Sequence, residues 1–143
     1  MADHDIAILI DGGFFLKRLP KLVKPSRCGT PEAIAACMRF MCRNHVKYLT
    51  GDEDSRWHKH IYRIFFYDAA PYDGIAHHPL ANKQIDFGKS DLASSRLELF
   101  QVLRRQRSVA LRLGKVTRDG DWSLTSPFSR KVIPTKRWFE AID

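Results

Sequence analysis

Ile6-Ala7-Ile8-Leu9-Ile10-Asp11-Gly12-Gly13 is the stretch on which the fold turns. Five apolar residues without alternation read as a strand buried on both faces, as in a parallel sheet. An aspartate closes the run and two glycines follow it. Open α/β sheets hold their ligands at the carboxyl ends of their strands. Asp11 is therefore the first candidate site residue.

Outward from this strand, Phe14 to Leu19 reads as a helical turn or short helix broken at Pro20. The Pro-punctuated, basic stretch Lys17 to Arg27 reads as a surface loop. Thr30-Pro31-Glu32 is a helix start, with a capping hydroxyl, proline at the first helical position and an acid at the positive end of the helix dipole. Ile34, Met38, Met41, Cys42, Val46 and Leu49 keep a 3.6-residue period, which predicts a helix from Pro31 to Leu49. Its methionines read as core packing. The acids of Gly51-Asp52-Glu53-Asp54 lack the rest of a calcium loop and read as solvated.

Ile61 to Tyr67, rich in aromatic and β-branched residues, is a second strand. It too ends in an acid, Asp68, before the breaker-rich Ala69-Ala70-Pro71-Tyr72-Asp73-Gly74. Two apolar strands closed by aspartates and joined through a helical crossover predict a parallel sheet with an acidic rim. Asp91 to Gln106 reads as a helix with Asp91 as its cap, and Val109 to Val116 as a third strand. A turn at Asp119-Gly120 and a short returning strand over Trp122 to Leu124 are expected after it.

The chain of 143 residues suffices for one domain and carries 24 Lys+Arg against 16 Asp+Glu, a net charge of +8. Such a surplus attracts polyanions, and nucleic acid is the leading partner class. Lys17, Arg18 and Lys21 follow Asp11 closely, and Arg104, Arg105, Arg107, Arg112 and Lys115 flank the third strand. The planar fork of arginine suits phosphate, although a solvated helix end explains Arg104 and Arg105 equally well. Trp57, Tyr72, Trp122 and Trp138 are candidates for stacking on bases. Three cysteines without paired spacing point to a reducing compartment. No apolar run approaches a membrane span and the N-terminus lacks a basic signal region, so a cytoplasmic protein with no membrane partner is expected.

Three strings in order carry a resemblance: Ile8-Leu9-Ile10-Asp11-Gly12-Gly13, Phe66-Tyr67-Asp68-Ala69-Ala70-Pro71 and Leu111-Arg112-Leu113-Gly114-Lys115-Val116. Together they resemble successive landmarks of the NYN domain family of PIN-like ribonucleases, across residues 6–116. The resemblance implies a Rossmann-like, three-layer α/β/α fold with a mainly parallel sheet. Its acids would hold Mg²⁺ or Mn²⁺ and cleave RNA. Asp11 corresponds to the family's first metal-binding aspartate, and Asp68 stands at the second strand end beside the site. Both are catalytic candidates, and Asp11 is the metal-ligand candidate. Lys17, Arg18, Lys21, Arg112 and Lys115 are the candidate RNA contacts.

The chain also departs from that pattern. Phe14 stands where family members often carry an asparagine, within Asp-Gly-x-Asn. The family's later Lys-Gly-x-Asp and Gly-Asp-Ser-Asp segments are absent, and Gly120-Asp121-Trp122-Ser123 lacks the final acid of the second. The chain thus resembles the N-terminal portion of the domain, incomplete at its C-terminal end. A non-catalytic RNA-binding or protein-interaction module is the alternative function. A three-stranded sheet would leave the edge of its first strand unpaired, so a marginally stable chain, a homo-oligomer or a partner chain covering that edge is expected. Among other motifs, His58-Lys59-His60 lacks further zinc ligands at suitable spacing, and His77-His78-Pro79 reads as an exposed loop. No GxxxxGK[ST] segment is present.

Overall fold

A computed structural model describes residues 6–53 and 56–118. Strands β1 (Ile6–Asp11), β2 (Ile61–Ala70) and β5 (Val109–Lys115) form a parallel sheet in the order β1-β2-β5. Helices α1 (Gly12–Leu22) and α2 (Pro31–Thr50) lie between β1 and β2 in the chain, and α3 (Asp91–Arg104) precedes β5. Strands β3 (Ile75–His78) and β4 (Lys83–Asp86) pair as a separate antiparallel hairpin. The domain is therefore mixed α/β, with the first two strands parallel as the sequence predicts. Among the described residues no helix is long and apolar enough to cross a membrane.

The long helix starts where expected. Thr30 accepts a hydrogen bond from the Ala33 amide at 3.1 Å, and Pro31 and Glu32 occupy the first turn. Gly51 closes it in the left-handed conformation, φ 67°, which glycine adopts without a Cβ penalty. Two other boundaries are corrected. The helix α1 runs through Pro20 to Leu22, so Lys17 and Lys21 lie on a helix rather than a loop. Ser90, not Asp91, caps α3, its hydroxyl accepting from the Ala93 amide at 3.2 Å.

One cluster of buried side chains joins the helices to the sheet. It takes Ile10 from β1, Ile61, Ile64 and Phe66 from β2, Met38, Cys42 and Val46 from α2, and Leu99, Phe100 and Leu103 from α3. Register explains which sheet residues take part, because paired residues share a face. Ile10, Phe66 and Leu111 align on the covered side. Leu9, Phe65 and Ala110 align on the other. There Ala7, Leu9, Tyr67 and Arg112 are exposed, Leu9 to 66 %.

The reading of β1 as buried on both faces is corrected accordingly. Its exposure alternates, and only Ile10 is fully buried. The physical reason is position. It is an edge strand of a sheet that the described helices cover on one side, so the third layer of the expected α/β/α fold is not among the described residues. The expected Asp119-Gly120 turn and the Trp122 to Leu124 strand lie outside them too.

Candidate functional site at the carboxyl rim of the sheet

Strands β1 and β2 run the same way, so Asp11 and Asp68 reach the same end of the sheet. They do not share a face. Asp11 is in register with Tyr67, and Asp68 lies one residue further along. Because successive side chains alternate, the two carboxylates project to opposite sides.

Their surroundings differ as well. Asp11 is exposed and caps α1, its Oδ1 accepting from the Phe14 amide at 3.0 Å. Its Oδ2 has no partner among the described residues. Asp68 is held by protein groups at both oxygens. Oδ2 accepts from Arg96 Nη1 at 2.7 Å, Oδ1 accepts from the Ala69 amide at 2.8 Å, and the side chain is only 11 % exposed. Strand β2 also continues past Asp68 to Ala70, so this acid lies within the strand rather than beyond it.

The rim was thus legible from the sequence, but the engagement of Asp68 was not. A signal for it does exist. Arg96 falls on the buried stripe of α3, three residues after Ala93 and four before Phe100. A cation at such a position calls for a carboxylate opposite it.

A divalent ion such as Mg²⁺ needs six oxygen ligands or waters around it. Of the two strand-end acids, Asp11 alone presents an open carboxylate oxygen to such an ion. No group of three or more His, Cys, Asp or Glu side chains among the described residues is placed to hold a metal ion.

The other titratable clusters serve the fold. Asp52 Oδ2 is shared by Lys59 at 2.8 Å and His60 at 3.0 Å, and Glu53 pairs with Lys47 at 2.9 Å. His58 points elsewhere. It faces Arg39 Nη2 at 2.7 Å and stacks on Trp57, which Arg39 also overlies. The two rings of the alternating histidine pair thus engage different partners. His77 and His78 lie in β3 rather than an exposed loop. His77 bonds Asn82 at 3.0 Å, and His78 Nδ1 accepts from the Ala81 amide at 3.0 Å, fastening the hairpin turn. Burial pushes the Cys42 thiol up to about 11, which keeps it protonated and inert.

The candidate RNA contacts divide into two sets. Lys17 and Lys21 are exposed on α1, and Arg112 and Lys115 are exposed on β5, with Lys115 at the carboxyl rim. Arg112 overlies the Phe65 ring at 5.6 Å on the open face of the sheet. Arg18 instead lines an open groove of about 860 Å³ beside β1. Asp11 stands in its wall, and Phe15, Leu19, Phe40 and Met41 give it an apolar lining. Arg104, Arg105 and Arg107 precede β5 and so lie toward the amino end of the sheet, away from Asp11. Trp57 is buried and Tyr72 packs on Phe87 at 5.4 Å, so neither is free to stack on a base. Trp122 and Trp138 lie outside the described residues. Comparisons with protein-family models, curated proteins and solved structures find no match to this chain.

Proposed function

We propose that the chain is an RNA-binding α/β domain of the NYN, PIN-like ribonuclease type, with the carboxyl rim of its parallel sheet as the RNA-facing surface. The observation that carries this reading is the parallel pairing of the sheet strands, which brings Asp11 to the rim where exposed Lys115 ends β5. Lys115 stands at the end of β5, and Lys17 and Lys21 are exposed further along α1, which starts at that rim. Phosphate contacts from these side chains would position a strand of RNA. Phe65 and Tyr67, in line on the open face with Arg112 beside them, supply stacking surfaces for its bases.

Metal-dependent endoribonuclease activity, with Mg²⁺ or Mn²⁺, is the second reading, and the open Oδ2 of Asp11 at a strand end favours it. Binding without cleavage is favoured by the ion pair that already occupies Asp68. One experiment separates them. Single-stranded and structured RNAs are incubated with the wild-type chain and with Asp11→Asn, in Mg²⁺ and in Mn²⁺. Asparagine retains an oxygen for the Phe14 amide, so the helix cap survives the substitution. Cleavage that falls about 100-fold or more in the variant supports a metal-bearing Asp11. Equal cleavage by both proteins rejects it. RNA retention by both without cleavage leaves the binding domain as the function.

A further inference from the structure

The groove beside β1, of about 860 Å³, shares Asp11 with the proposed RNA-facing rim and otherwise has no part in that reading. One wall is the edge of β1, from Ile8 to Asp11. Phe14, Phe15 and Leu19 of α1 form another, and Ala36, Phe40 and Met41 of α2 the third. Phe14 and Phe40 are 64 % and 59 % exposed, an unusual state for phenylalanines facing a common cavity. Among the described residues no strand pairs with this edge of β1. The groove therefore combines an apolar trough with a row of main-chain donors and acceptors open to pairing.

Its charge is equally one-sided. Between Gly12 and Pro31 the chain carries Lys17, Arg18, Lys21, Lys24 and Arg27 and no acid. None of the five forms an ion pair among the described residues, and Arg18 and Arg27 line the groove itself. We propose that this groove receives an extended, acidic segment of a partner protein. The segment adds to β1 as a fourth strand, and the row of side chains it turns into the trough carries both apolar groups for the phenylalanines and carboxylates for Arg18 and Arg27.

Each feature selects that occupant over another. A small apolar ligand would leave the edge of β1 unpaired, whereas a peptide strand satisfies it. Nucleic acid offers phosphates to the arginines and bases to the phenylalanines, but it cannot pair with the main-chain edge of β1. A second copy of this chain pairing across β1 would bring two sets of five cations together, and like-charge juxtaposition disfavours such an interface. Residues two apart on such a strand face the trough together, so apolar and acidic groups must both occur in that row.

The test uses the full chain and a fluorescent, end-capped peptide of repeated Val-Val-Glu-Glu, which puts both residue types on each face of a strand, titrated by anisotropy at about 50 mM salt. Saturable binding is expected, together with slowed amide exchange over β1. Binding should weaken about tenfold or more for Arg18→Glu/Arg27→Glu, and similarly when a valine–lysine peptide meets the wild type. The second comparison needs no variant, so it decides the matter even if the double substitution unfolds the chain. No saturation up to about 1 mM peptide, or equal affinity for the glutamate and lysine peptides, overturns the proposal. Displacement of the peptide by an equimolar uridine oligonucleotide assigns the groove to nucleic acid instead. A wild-type dimer in sedimentation that excludes the peptide assigns it to a second copy.

Discussion

Gly12 directly follows Asp11 and is buried, and a Cβ added there would lie 2.6 Å from the Tyr67 carbonyl oxygen and press into the Phe66 ring. The turn from β1 into α1 thus runs so close to β2 that only hydrogen fits. Gly12→Ala should cost about 1–3 kcal/mol, the usual penalty of overpacking a filled core. Urea unfolding of wild type and variant measures it, and an unchanged midpoint would show that the turn has room. His58 supplies a second residue-scale expectation. Burial, then the charges of Arg39 and Arg107, hold its imidazole below the ordinary histidine range. Its Nε2 accepts from Arg39, which requires the neutral ring. The unfolded chain binds this proton more readily than the folded one. The stabilising contribution is therefore complete above about pH 6.5 and is lost as pH falls toward the depressed folded value. Unfolding midpoints at neutral and mildly acid pH should drop more for wild type than for His58→Gln, and parallel slopes would refute this. Neither residue announces its role in sequence, because Gly12 matters through Phe66 and His58 through Arg39, both distant along the chain.

The Arg96–Asp68 pair ties α3 to the central strand at the element scale. Both side chains are mostly withdrawn from water, with 26 % and 11 % exposed. Removing one partner leaves the other charge poorly solvated. Arg96→Met should destabilise the domain by about 1–3 kcal/mol, and Asp68→Asn by a similar amount. In the double variant the two costs should fall short of their sum, since the interaction is lost only once. Strict additivity in urea unfolding would mean that the pair is not coupled. Elements with strong local signals were legible. Thr30-Pro31-Glu32 marks the start of α2 because capping is written in adjacent residues. The β3–β4 hairpin is not legible because each strand has four residues, and Lys83-Gln84 shows no apolar alternation. In β1 the five apolar residues read as doubly buried, but the number of covered faces depends on remote segments. Asp68 shows the same limit, for its position at the rim follows from β2 alone while its partner comes from α3.

At the scale of the whole molecule the surplus of eight positive charges meets a sheet with one face left open by the described residues. The layer arrangement explains why charge and aromatic groups coexist there. Alternation that buries Ile64 and Phe66 must turn Phe65 and Tyr67 outward. Arg112 is aligned with Tyr67 in the neighbouring strand, so cation and rings lie together without any local motif in either segment. RNA bound across this face and the adjoining rim would release counterions in proportion to the phosphates contacted. For single strands each contact contributes about −0.7 to the slope of log affinity against log salt. Lys17, Lys21, Arg112 and Lys115 acting together predict a slope of about −3, reduced to about −1.5 when Lys17 and Lys21 are replaced by alanine. Filter binding of a uridine oligonucleotide over a salt series measures both. A slope near zero would place the attraction elsewhere. An unchanged slope in the double variant would remove α1 from the RNA path and leave its cations to the groove beside β1.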